Sequence, residues 1–202
     1  MGQYYKPCIL ADKTEETQSE KVLGWMYSHE YNNGLKLMEH SWLRNDFVNT
    51  FEKLLSPRGK FSKARVVWAG DYADGEPEMT HQNEEGKAVE VNLYELCEDE
   101  NKLNPKRVTK SNYRFILNHT KKQFVDKEKV PVSDYWTDDK TGKKYPFTIH
   151  PLPLLTCEGN GRGGGDFRGD ERGQVGVWAR HSISVANKVP NGYTEFTFDL
   201  TE

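Results

Sequence analysis

SWLRNDFVNTFEKLL, from Ser41 to Leu55, is the clearest helix in the chain, and its reading decides the fold. Leu43, Phe47, Phe51, Leu54 and Leu55 recur at helical spacing and make one apolar stripe. Ser41 is placed to cap the start, and Ser56-Pro57-Arg58-Gly59 stops the helix. A single stripe of this kind needs one apolar face to cover, and the flanking sequence offers strands for it.

Tyr4 to Leu10, Val22 to Tyr27 and Arg65 to Trp68 are strand candidates, rich in β-branched and aromatic residues. Tyr113 to Leu117 and Gln123 to Asp126 flank a polar hairpin loop. Tyr135-Trp136 and Lys144 to Ile149 flank another, Asp138 to Gly142. Val175 to Val185 and Tyr193 to Leu200 read as closing strands, joined through Pro190-Asn191-Gly192. A second, shorter helix is expected from Asn92 to Leu103, ended by Asn104-Pro105. Val67-Trp68-Ala69 and Val177-Trp178-Ala179 share a pattern and read as two core strands with similar tryptophan anchors. No Pro/Ser-rich linker divides the 202 residues. The expectation is one α+β domain over residues 1–202, a mostly antiparallel sheet with one main helix packed on it.

The net charge of −3 gives no global basic field, so nucleic acid is not an expected partner. Three widely spaced cysteines, Cys8, Cys97 and Cys157, form no CxxC pair and read as buried free thiols of a reducing compartment. No apolar run reaches transmembrane length and the start lacks an apolar signal core, so a cytoplasmic protein without membrane contact is expected.

The most unusual stretch is Gly159-Asn160-Gly161-Arg162-Gly163-Gly164-Gly165-Asp166. Glycines permit positive φ and leave backbone N–H groups unshielded, so successive N–H groups can form a concave nest for phosphate or carboxylate. Arg162 and Arg168 can add charge-assisted bonds, and Asp166 a ribose or metal contact. Gly159, Gly161 and Gly164 spell GxGxxG, but no apolar helical stripe follows, so a dinucleotide fingerprint is rejected. No Gly-Lys-Ser/Thr ends the loop, which excludes a phosphate-binding Walker loop. A long surface loop between strands is the competing reading, and the residues leave both open.

Asp71, Asp74, Glu76 and Glu78 crowd the segment after Trp68, most simply as turn residues. His150 precedes the Pro151-Leu-Pro-Leu-Leu run that leads into the glycine loop, which makes it the most suggestive of six histidines. No HExxH, zinc-deaminase or Gly-x-Ser-x-Gly pattern is present.

Four blocks together carry a resemblance: Met1-Gly-Gln-Tyr-Tyr, Gly34-Leu-Lys-Leu-Met-Glu39, Trp68-Ala-Gly-Asp-Tyr-Ala-Asp74 and Gly159 to Asp166. The set resembles an uncharacterised family of prokaryotic and phage-type proteins that begin MGQYY and carry GNGRGGGD and WAGD elements. The resemblance implies a family and no activity.

The leading functional expectation is binding of a small anionic, phosphorylated or nucleotide-like ligand. Its candidate residues are Gly161, Arg162, Gly163, Gly164, Gly165, Asp166, Arg168, Asp71 and His150. A non-enzymatic interaction protein, a host-modulating factor of a phage or mobile element with a host protein as partner, is the second. A metal-dependent hydrolase using Asp71, Asp74, Asp166 and His150 is the third.

Overall fold

The computed structural model describes residues 3–14, 19–77, 79–82, 84–159, 165–169 and 172–201. Alternation along two strands shows how the chain is layered. On β1 (Tyr5–Leu10), Tyr5 and Ile9 point to one side, and Cys8 and Leu10 to the other. On β3 (Arg65–Gly70), Val66 and Trp68 share the first side, and Val67 and Ala69 the second. Period-2 alternation with both sets buried means a sheet covered on both faces.

The main sheet joins β1, β2 (Val22–Trp25), β3, β6 (Phe115–Asn118), β7 (Gln123–Asp126), β10 (Cys157–Glu158), β11 (His181–Ala186) and β12 (Thr194–Glu195). Its order is β12-β7-β6-β11-β3-β1-β2, with β10 also on β3. Only β10 on β3 and β12 on β7 run parallel; the other pairings are antiparallel. Two small hairpins stand apart, β4 (Thr80–Gln82) with β5 (Ala88–Glu90), and β8 (Asp134–Thr137) with β9 (Lys144–Phe147). The mixed, mostly antiparallel architecture with one main helix agrees with the expectation.

That helix, α1 (Asp46–Leu54), is shorter than the stripe predicts. Asn45 is the N-cap: its Oδ1 accepts the Phe47 and Val48 N–H groups at 2.9 and 3.2 Å. Ser41 instead donates its hydroxyl to the Leu37 carbonyl, and Arg44 turns the chain at φ +74°. Phe47, Phe51 and Leu55 of the stripe are fully buried, Leu54 is half-buried, and Leu43, also half-buried, lies before the helix. Phe51 meets the Trp68 ring edge-on at 4.8 Å between centroids, and Tyr31 and His40 pack on Phe47.

Three further differences have local causes. Residues 92–103 form a turn and a 3-10 helix, Asp99–Asn101, rather than an α-helix. Asn92 and Glu95 cap one another, and Trp25 bonds residues on either side of the 3-10 helix, its indole N–H on the Glu98 carbonyl and its carbonyl on the Leu103 N–H. Tertiary partners here outweigh helix propensity.

Second, Pro151–Thr156 is a buried helix, α2. Both prolines fall in its first turn, where an N–H has no intrahelical partner to lose.

Third, residues 175–180 are not strand. β10 already occupies the edge of β3 at Trp68 and Ala69, so β11 joins that edge only at Val66 and Arg65. The intervening turn caps α2: the Gly176 and Trp178 N–H groups bond the carbonyls of Leu154 and Leu155 at 2.8 and 2.7 Å. Trp178 is a buried anchor, as Trp68 is, but on this turn.

Both margins of the sheet are covered or short. Leu103 lies over Gly24 on β2, and β12 has two residues. Among the described residues, no helix is long and apolar enough to cross a membrane.

A candidate anion pocket

Glu52 breaks the apolar pattern of α1. It lies four residues after Val48 and three before Leu55, on the buried arc, and is fully enclosed. A buried carboxylate needs a cation. Lys127, just after β7, supplies it, with Nζ 2.7 Å from both carboxylate oxygens. Burial pushes the Glu52 carboxyl up, but the Lys127 ammonium overcomes this and holds it down at about 2. His150, the N-cap of α2, closes the group. Its Nδ1 accepts the Leu152 N–H at 3.1 Å, so in the neutral ring the proton is on Nε2, which faces Glu52 Oε1 at 3.3 Å without a well-aligned bond. Burial lowers the His150 pKa and keeps the ring neutral.

Lys127 and His150 form the inner wall of a pocket of about 650 Å³. Its outer wall is the segment Thr109 to Arg114, with Arg44 and Asn49 opposite. Arg114 is held by Asp126 through two bonds, of 2.9 and 2.6 Å, and by Glu128 at 2.7 Å. Arg44 and Lys110 are exposed and have no carboxylate partner among the described residues. The pocket thus presents free positive charge over a neutralised, rigid floor, with amide and hydroxyl groups from Asn49, Asn112, Ser111 and Thr109 beside it.

The glycine element lies elsewhere. Gly161, Arg162, Gly163 and Gly164 fall outside the described residues. Gly165 has φ +50°, and a Cβ on it would stand 2.6 Å from Tyr5 Cε2. A Cβ on Gly159 would meet the Gln3 amide at 2.5 Å. The loop therefore ends tightly on Gln3 and Tyr5, whose hydroxyl donates to Gln3 Oε1 at 2.9 Å. Asp166 Oδ1 accepts the Met38 N–H at 2.9 Å, Asp71 Oδ1 accepts the Tyr4 N–H at 2.9 Å, and Arg168 is exposed. Burial raises the Tyr5 pKa, and the charges of Asp166 and Asp71 add to it. Burial likewise raises Asp166 itself.

His150 caps the start of α2, and Gly159, where the glycine element begins, lies beyond its other end. The six residues of α2 span about 9 Å, and β10 adds two more residues before Gly159. The structure thus brings Asp71 and Asp166 toward Tyr5, and leaves His150 with Glu52 and Lys127. Asp74 is exposed. Among the described residues, no group of three His, Cys, Asp or Glu side chains could hold a metal ion.

A third polar cluster involves the acidic segment after Trp68. Glu76 is buried and accepts from Arg180 at 2.5 and 2.9 Å, and Arg180 also bonds Glu158 and Glu20. Arg65 binds Glu20 through two bonds of 2.8 and 2.9 Å. These ion pairs tie three loops to the β3 edge. All three cysteines are buried free thiols, and Cys8 and Cys97 touch through sulfur at 3.1 Å.

Sequence reasoning missed Glu52, Lys127, Lys110, Arg44 and Arg114. Two signals were there: a carboxylate inside the helical stripe, and four cations between Lys106 and Arg114. In comparison with known proteins, no family model, no curated protein and no solved structure matches this chain.

Proposed function

We propose that the protein binds a small anionic, phosphorylated or nucleotide-like ligand, seated in the pocket between α1 and the Thr109 to Arg114 segment. One observation carries this reading: Arg44 and Lys110, without carboxylate partners among the described residues, face a pocket whose own buried charges are already balanced. Its volume suits a mononucleotide-sized ligand. The phosphate would meet Arg44 and Lys110, while the exposed Asn112 offers donors and an acceptor to a base or sugar. Lys127 and His150 hold the wall rather than act on the ligand, because Glu52 and the α2 N-terminus already engage them.

A thermal-shift and calorimetric screen of nucleotides, cyclic nucleotides and inorganic phosphate tests the proposal. Lys110→Ala is expected to weaken binding at unchanged stability, and Arg162→Ala to leave it intact. Loss of binding in Arg162→Ala alone moves the ligand to the glycine element. No stabilisation by any of these anions removes the reading.

A second reading, a protein-interaction factor, rests on the β8–β9 hairpin. It stands apart from the main sheet and exposes Tyr135 and Trp136, the latter 60% accessible. Retention of one defined host protein by the wild type and not by Trp136→Ser would support it. Equal retention by both would remove it.

A further inference from the structure

The segment that walls the pocket does not end with it. Pro105 to Lys110 also lines a second pocket, of about 510 Å³, and the two share Thr109 and Lys110. Lys53, Lys106 and Arg107 line the second. With Arg44 and Lys110 they make five cations without a carboxylate partner among the described residues. The only carboxylate in either lining is Glu128, already bound to Arg114. In a chain of net charge −3, this is a strong local departure from the average. Bulk charge argues against nucleic acid only for the surface as a whole; association responds to the local field.

A lone phosphate or a mononucleotide engages one pocket. Five cations without carboxylate partners, Arg107 among them bonded to the Glu30 carbonyl and set over the Tyr31 ring, lie along two adjoining pockets and match an anion that is itself a string. Tyr113, half-buried in the wall of the first, offers an aromatic ring for stacking, and Ser111 and the exposed Asn112 can bond bases without demanding one sequence. We infer that the two pockets form one track for a short single-stranded nucleic acid, its phosphates along Lys53, Lys106, Arg107, Lys110 and Arg44. The track takes the pocket proposed above as one end and rests on that reading there.

Fluorescence anisotropy of the full chain with labelled oligo(dT), over a salt series, tests this, with a mononucleotide titrated in parallel. The logarithm of the binding constant is expected to fall with the logarithm of salt with a slope of about −3.5, for five phosphate contacts on a single strand. Lys53→Gln with Lys106→Gln, both exposed, is expected to shrink that slope by about 1.4 and weaken oligonucleotide binding about tenfold. The same variant should bind the mononucleotide as the wild type does. The inference is overturned if oligo(dT) binds no tighter than the mononucleotide, or if the double variant binds it unchanged. It is also overturned if poly-glutamate competes as well as oligo(dT), which would assign the track to acidic peptides. Oligonucleotide binding that depends on Lys53 and Lys106, with no mononucleotide binding, upholds the track and removes the small-ligand reading.

Discussion

Replacing Lys127 by Met is the sharpest perturbation of the pocket floor. It keeps a long unbranched side chain and removes the ammonium that bonds Glu52. Glu52 is fully buried, so its charge has no water to turn to. Breaking one side of a buried ion pair costs about 3–5 kcal/mol. The carboxyl gives a matching figure: it is held at about 2 against an ordinary 4.5, a difference equivalent to about 3 kcal/mol. Because the folded value is depressed, the pair contributes fully above 4.5, and the contribution fades as pH falls toward 2. In Lys127→Met the sign reverses. The lone buried carboxyl binds its proton more tightly folded than unfolded, so the variant recovers stability on acidification. Urea unfolding, followed by fluorescence of the buried Trp68 and Trp178, reads this at neutral and mildly acidic pH. Lys127→Met combined with Glu52→Gln should restore most of the loss at neutral pH. A loss under about 1 kcal/mol, or an equal loss in the Glu52→Gln background, would refute the reasoning.

Three further expectations follow from other groups. His40 accepts the Trp68 indole N–H at 3.1 Å and stands 3.2 Å from the Gly34 carbonyl, and burial holds its pKa at about 4. The unfolded chain therefore takes up this proton first, and stability should fall by about 3 kcal/mol between pH 6.5 and 4; a His40→Gln variant with an equally steep fall would reject the assignment. Arg180→Met leaves Glu76 buried without its cation and should lower stability by about 3 kcal/mol, whereas an unchanged denaturation midpoint would mean that the cluster contributes nothing. Gly165→Ala should lower the melting temperature, because left-handed backbone costs a non-glycine residue about 1 kcal/mol and the new Cβ meets the Tyr5 ring; an unchanged melting temperature would show that the loop end yields freely.

The elements that sequence predicts well are those whose signal is periodic. The stripe from Phe47 to Leu55 reports burial directly, whereas the β-branched and aromatic runs of β1 and β3 mark strands without showing that both faces are covered. Boundaries were less legible because several residues compete for them. Ser41 and Asn45 are both good caps, and only the pairing of Leu43 with Thr148 decides between them by holding residues before Asn45 out of the helix. The 175–180 turn was hidden for a different reason: its residues suit a strand, and only the presence of β10 on the same edge denies them one. The candidate pocket was harder still. Glycines attract notice in a sequence, whereas Glu52 and Lys127 are common residues, 75 positions apart, whose meaning appears only when burial brings them together.

The short β12 and the Leu103 cover on β2 have a consequence for how the molecule meets its neighbours. Unpaired strand edges invite other chains to add by backbone hydrogen bonding. Here one margin of the main sheet ends after two residues, and the other carries Leu103, whose N–H already bonds the Trp25 carbonyl at 2.8 Å. The extended lattice therefore stops within one copy of the chain. Self-association through the central sheet is disfavoured even where the folded state is concentrated, and the detached β4–β5 and β8–β9 hairpins are left as the places where a foreign strand can still be taken up.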